Sequence, residues 1–263
     1  SIVVEDGNAN YDSRNNCNAI IVTATNTLLV GCKNTNIPES IACIEGGAFS
    51  SCIGLTGELV IPKNVTSIDE YTFCGCKKVQ RLSIPNGVTS IGNYAFFGCK
   101  GLTSIKIPES VTSIDDFAFR NCTSLADIKL SSNIKSMSVY AFDNTAWYNN
   151  CSNGIMYLSN WLMGYKGGQF EQDSLIVKEG TVGIADEARL YELNYVSLPK
   201  SLKHIGEHAF ESNNCTFTVH AATPPTVSSG PIVSRYDKNT LIVPISTGVI
   251  EAYRQDYNWQ TFS

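Results

Sequence analysis

In the segment Leu102-Thr103-Ser104-Ile105-Lys106-Ile107-Pro108, two isoleucines flank a lysine, the period-two alternation of a strand with one buried face. Pro108 closes it, because proline cannot extend a ladder. Val111-Thr112-Ser113-Ile114 follows as a second short segment of mixed polarity. Ala118-Phe119, then Cys122 and Leu125, have the three-to-four spacing of a single helical or 3₁₀ turn. The predicted unit is therefore strand, bend and turn.

The unit recurs at a fixed period. Ile61-Pro62, Ile84-Pro85 and Ile107-Pro108 lie 23 residues apart, Ile37-Pro38 lies 24 before the first, and Leu130-Ser131 keeps the spacing with the proline lost. The common frame is Ile-Pro-x-x-Val-Thr-Ser-Ile-x-x-x-Ala-Phe-x-x-Cys, with Phe49, Phe73, Phe96, Phe119 and Phe142 in register and Cys52, Cys76, Cys99 and Cys122 behind them. A shorter copy spans Ile176 to Ile184, and another runs from Leu198-Pro199 to Phe210. Arg189 stands where the frame asks for phenylalanine. A coil this small cannot cover its own apolar side, so stacked neighbours must share one continuous core. The expected fold class is α/β, a strand-rich solenoid with short helical or 3₁₀ turns.

Two hairpins interrupt the array. Asn18–Val22 and Thr27–Gly31 flank the polar link 23–26, and Asn153–Tyr157 and Trp161–Tyr165 flank 158–160 in the same way. The expected organisation is a single elongated solenoid. It comprises an N-terminal hairpin segment at 1–36, five repeats at 37–148, an inserted hairpin at 149–175, two further repeats at 176–220, and a flank at 221–263. Tyr253, Tyr257, Trp259 and Phe262 would close the open end of the array.

Charge and composition narrow the function. A net charge of −5 across 263 residues gives no field that would gather phosphates, so nucleic acid is not an expected partner. No stretch reaches the roughly 18 apolar residues of a membrane-spanning helix. The strand-like opening Ser1-Ile2-Val3-Val4 is what a piece of a longer protein would show, so the lack of a charged-then-apolar export pattern within this segment says little about compartment.

No constellation carries chemistry, so no enzymatic activity and no cofactor are expected. Cys74-Gly75-Cys76 has no second ligand pair near it in sequence, and His204 and His208 fall either side of Ile205 in a strand-to-turn segment instead of sharing a helical face. The nucleophile elbow, the phosphate-binding glycine loop and the His-Glu-x-x-His signature are all missing. Asp69-Glu70 and Asp115-Asp116 occupy variable slots that read as solvent-facing turns.

The variable positions are where binding would be written. Successive first strands carry Arg81 and Ser83, then Ser104 and Lys106, then Asp127 and Lys129, a polar strip that reads either as a protein-contact surface on the concave side or as a solvated sheet face. The position before Ala-Phe holds Tyr71, Tyr94, Phe117 and Tyr140. Such a ladder either packs along a solenoid edge or receives sugars and peptide side chains.

The frame, with Tyr11-Asp12-Ser13-Arg14-Asn15-Asn16-Cys17-Asn18-Ala19-Ile20-Ile21 and Thr223-Pro224-Pro225, resembles the BspA-like leucine-rich-repeat family of bacterial surface proteins. The resemblance implies a leucine-rich-repeat horseshoe, an extracellular or cell-surface location, and a bacterial adhesin whose partner is a host matrix or other cell-surface protein. A carbohydrate-binding accessory, using the ladder with Trp147, Tyr148 and Trp161, is the alternative.

The frame cysteines read as buried thiols, because in-register atoms on coils about 4.8 Å apart are too distant for a disulfide that wants about 3.8 Å between Cβ atoms. Cys17 and Cys32 differ. In a hairpin centred between Ala24 and Thr25 they face each other across the strands, and an exported chain would meet oxidising conditions, so a disulfide is expected there.

Overall fold

The computed structural model describes all of the chain except residues 168–171, 212, 213, 231, 233–237, 261 and 263. Whatever the expected segments 149–175, 176–220 and 221–263 place on those positions lies outside the described residues. The chain forms a strand-rich solenoid that divides into two compact units, Ser1–Ile134 with Tyr140–Asn150, and Lys135–Val139 with Cys151–Ser263.

The first unit opens on the expected hairpin, Ala19–Val22 antiparallel to Thr27–Gly31, with Tyr11–Asp12 added outside it. A bulge between Ile20 and Ile21 shifts the register by one, so Ala19 faces Gly31 while Val22 faces Thr27. Arg14 pins the outer strand. Its Nε donates to Asp12 Oδ1 at 2.7 Å and its Nη2 to Asp12 Oδ2 at 2.6 Å, while Nη1 reaches the Asn26 side chain at 2.7 Å.

Behind the hairpin the coils stack at the period read from the sequence. The short strands Ser67–Ile68, Ser90–Ile91 and Ser113–Ile114 pair in parallel, serine on serine and isoleucine on isoleucine. On another side of the coil, Thr56–Val60 pairs with Lys78–Ser83, and Ser104–Lys106 with Asp127–Lys129. The helical or 3₁₀ turn of the frame is a 3₁₀ helix, Val139–Phe142, in the fifth coil and a run of hydrogen-bonded turns in the coils before it. The Cys76 amide donates to the Phe73 carbonyl at 3.2 Å, and the Phe73 amide to Ala95 of the next coil at 2.8 Å. Proline ends the strand, since it has no N–H to extend the ladder, and the Pro62, Pro85 and Pro108 carbonyls accept from the amides of Val65, Val88 and Val111 to close the turn that follows.

The core of this unit is a column of rings. Phe49, Phe73, Phe96, Phe119 and Phe142 are buried and stack face to face, with centroids 5.2, 5.5, 5.2 and 5.3 Å apart. Each contributes about 2–3 kcal/mol of burial, plus an offset-stacking increment. Where the sequence leaves the frame, chemistry of the same shape fills in. Thr72 replaces alanine and donates its hydroxyl to the Asp69 carbonyl at 2.8 Å, and Thr145 replaces cysteine and donates to the Phe142 carbonyl at 2.7 Å. Ser131 replaces proline, and its hydroxyl accepts from the Asn133 amide at 2.9 Å, a side-chain bond that holds the turn following the strand.

The second unit repeats the plan. Its hairpin, Gly154–Leu158 and Trp161–Lys166, leads into a parallel ladder through Gly183–Ile184, His204–Ile205 and Thr226–Val227. Ser174–Ile176, Tyr195–Leu198, Thr216–Val219 and Thr240–Ile242 form a second parallel sheet. Gly183 is required by packing, since a Cβ there would lie 2.5 Å from the Trp161 ring. The Arg189 reading is corrected. Leu190, fully buried and paired with Phe210, takes the phenylalanine slot, and one extra residue turns Arg189 outward at φ 51° to meet Glu187 at 3.0 Å.

Helix Thr247–Gln255 lies in the flank, started by Ser246, whose hydroxyl accepts from the Val249 amide at 3.3 Å. Buried Tyr253 donates to the Ala221 carbonyl at 2.9 Å and Trp259 to the Pro225 carbonyl at 3.1 Å, while Phe262 meets Phe217 edge-on. Tyr257 remains exposed.

Candidate interaction surface

The polar strip forms on the long strands of the first unit. Lys106 stands directly opposite Lys129 and Ser104 opposite Asp127, while Arg81 pairs across to Glu58 and Ser83 to Val60. All six strip residues are exposed, because the strands bury only alternate side chains such as Val79, Ile105 and Ile128. Glu58 was not singled out from sequence. Its carboxylate lies 3.7 Å from the Arg81 guanidinium, and register counting across the 23-residue period is the signal that finds it. Asp127 approaches Lys129 at 4.0 Å, an exposed contact of small energetic weight.

Lys106 and Lys129 thus stand side by side, with Asp127 near Lys129 alone, a like-charge pair that costs stability unless an anion answers it. Beside them, Arg81, Ser83, Ser104, Lys106 and Glu58 line a depression of about 320 Å³. The strip can therefore offer ammonium, guanidinium and hydroxyl donors on a rigid sheet.

The second set, Tyr71, Tyr94, Phe117 and Tyr140, stacks at 4.8, 4.8 and 5.4 Å with interplanar angles of 8°, 29° and 22°. Its rings leave the chain beyond the short strands, so ladder and strip belong to different faces of the coil and do not form one site. Each inner ring spends both faces on its neighbours. Tyr94 also meets Phe97 at 5.5 Å, and the Arg120 guanidinium sits 5.1 Å from the Phe117 centroid.

The backbone beneath the ladder was not foreseen. Tyr71, Tyr94 and Phe117 adopt φ of 57°, 56° and 59°, the left-handed region that side chains other than glycine enter at a cost. Gly47 at φ 73° occupies the same slot one coil earlier, a glycine that signalled the conformation in the sequence.

Three of the four frame thiols behave as small buried groups, whereas Cys52 is only half-buried. Cys76, Cys99 and Cys122 donate their S–H to the carbonyls of Phe49, Phe73 and Phe96 at 3.2–3.3 Å. Burial pushes Cys76 and Cys122 up to about 12 and Cys99 well above its ordinary value, so none supplies thiolate at neutral pH. The disulfide expected between Cys17 and Cys32 is not formed, and both are free thiols. The bulge at Ile20–Ile21 displaces the register on which the pairing rested, so Cys32 Sγ turns to the Asn18 carbonyl at 3.5 Å while Cys17 is buried.

His204 bonds Thr226 at 2.7 Å and stacks on Trp161, whereas His208 bonds Glu187 at 2.7 Å, so the two histidines point to different partners. Among the described residues no group of three or more His, Cys, Asp or Glu side chains is arranged to hold a metal ion, and no helix is long and apolar enough to cross a membrane.

With this geometry in view, comparison with known proteins places the chain. A leucine-rich-repeat protein of Bacteroides ovatus is 15% identical over 96% of this chain and 79% of its own, at a TM-score of 0.30. A leucine-rich cell-surface protein of Faecalibacterium prausnitzii is 20% identical over 81% of this chain and 66% of its own, at 0.35. The T. pallidum leucine-rich-repeat protein is 18% identical over 80% and 82%, at 0.34. No curated protein matches. The model of the BspA-type leucine-rich-repeat region matches in six copies, over residues 43–153 and 184–228. Those residues make up more than half of the chain, which therefore belongs to the BspA-type leucine-rich-repeat family.

Proposed function

We propose that the chain is a protein-interaction module of a bacterial cell-surface adhesin, extracellular, and that it engages a host matrix or other cell-surface protein through the long-strand strip of its first unit. The observation that carries this reading is the in-register pair Lys106 and Lys129 beside the depression lined by Arg81, Ser83 and Ser104. Such a strip sits on a frame that holds it rigid, so little entropy is lost when a partner's acidic groups arrive. Family membership supports an interaction role, as repeat coils present long faces to macromolecules.

The alternative, sugar recognition by the ladder, finds less support. Pyranose rings stack on open aromatic faces, and Tyr94 and Phe117 have theirs covered by neighbours. The test is a binding screen of the 263-residue chain against immobilised matrix proteins and a glycan array, run in parallel with Lys106→Glu and Tyr94→Ala. Saturable protein binding that Lys106→Glu abolishes is expected. Sugar binding that Tyr94→Ala abolishes would overturn the reading.

A further inference from the structure

The aromatic ladder ends abruptly. Tyr94 and Phe117 are covered on both faces, but the only ring against Tyr71 among the described residues is Tyr94, and Tyr71 is 40% exposed. The slot one coil earlier holds Gly47, which has no side chain to cover the second face. Its amide donates to the Glu70 carbonyl at 3.0 Å just as the Tyr71 amide donates to the Asn93 carbonyl, so Gly47 continues the column as an empty rung. A Cβ built there meets nothing within 4 Å.

The rim of that rung is acidic. Glu45 and Asp69 occupy equivalent positions on adjacent coils, two residues before Gly47 and Tyr71, and after burial these two carboxylates are what raise the Cys43 thiol above its ordinary value. Desolvation, then Tyr94, then the exposed Glu70 next in sequence hold the Tyr71 phenol above its ordinary value. Among the described residues none of the three is in an ion pair. Like charges in neighbouring register positions are unfavourable unless a cation answers them.

The chain already shows what this ladder accepts. Three residues after Phe117, whose faces are taken by Tyr94 and Tyr140, Arg120 still brings its guanidinium carbon to 5.1 Å from the ring centroid, with its charge answered by Asp143 at 3.0 Å. The residue three after Tyr94 is Phe97, also against its ring, but the residue three after Tyr71 is the small Cys74.

We propose that the open face of Tyr71 receives an arginine side chain of a partner protein, its guanidinium lying flat on the ring above Gly47 and its charge answered by Glu45, Asp69 and Glu70. Arginine fits better than lysine, because its planar head stacks on a ring face while offering several donors to carboxylates at its edge. This site rests on the reading of the chain as a protein-interaction module and adds a second contact, on a different face of the coil from the lysine strip.

The experiment follows the tyrosine ring resonances of the intact chain during titration with N-acetyl-arginine amide, N-acetyl-lysine amide or methyl glucoside. Tyr71 should shift saturably with the arginine probe, more than Tyr94, and bind it at least several-fold tighter than the other two. Gly47→Tyr fills the rung with the chain's own ring in a conformation that Tyr71 and Tyr94 already adopt, so it keeps the fold and weakens the arginine response at least ten-fold. Glu70→Gln weakens it several-fold. Lys106→Glu leaves it unchanged, so failure of this site and failure of the strip are read separately. An absent Tyr71 response, an equal response to lysine or glucoside, or an undiminished response in Gly47→Tyr would overturn the proposal.

Discussion

Replacing Tyr94 separates what its ring contributes from what its backbone costs. The ring stacks on Tyr71 and on Phe117, each at 4.8 Å, and two such contacts are worth about 1–3 kcal/mol together. Tyr94→Ala forfeits both while keeping a Cβ at φ 56°, where an L side chain costs about 1 kcal/mol. Tyr94→Gly forfeits the same contacts and relieves that cost. The usual order, in which glycine is worse than alanine, should therefore reverse: alanine destabilises the first unit by about 2 kcal/mol and glycine by about 1 kcal/mol. Native-state hydrogen exchange at the amides of Phe96 and Phe119, which donate to the Ala118 and Ala141 carbonyls, reads this unit without mixing in the second. A glycine variant no more stable than the alanine variant would refute the left-handed slot, and a silent Tyr94→Ala would refute the ladder as a structural element.

Three further outcomes are expected. Phe96→Ala, removing a ring held between Phe73 and Phe119, should cost about 3–5 kcal/mol by the same exchange measurement, and a cost below 1 kcal/mol would contradict the stacked core. The Arg14 side chain, as hydrogen-bond partner, holds the Asp12 carboxyl below its ordinary value, so this contribution is present above about pH 4 and is lost as pH falls through the depressed folded value; Asp12→Asn should flatten that acid limb in a denaturation series, and an unchanged limb would contradict it. Alkylation of the native chain at neutral pH should spare Cys76, Cys99 and Cys122, whereas unfolding without reductant should add labels at both Cys17 and Cys32; protection of that pair would restore the disulfide.

Most of the fold was legible because each coil must solve the same burial problem, so Phe49 to Phe142 and the Ile-Pro steps recur wherever the core needs them. Both hairpins were legible as well, their apolar runs being divided by short polar links. What escaped were single-residue register shifts. The bulge at Ile20–Ile21 and the extra residue that puts Leu190 in the phenylalanine slot leave composition unchanged while turning side chains to the opposite face. Of the candidate site, the strip followed from counting along the period. The separation of strip and ladder onto two faces did not, because sequence places residues along a coil but does not say where the coil bends. Gly47 was visible throughout, yet its meaning as the empty end of a ring column required the backbone angle of Tyr71.

The central claim is that the long-strand strip binds a protein through its cations. The most direct measurement is equilibrium binding of the intact chain, Lys106→Glu, Lys129→Glu and the double variant to whichever matrix protein it retains, at two salt concentrations. The account predicts binding that each single reversal weakens about ten-fold or more, that the double reversal abolishes, and that salt weakens for the native strip. Binding of undiminished strength in the double variant, with the fold intact, would contradict it.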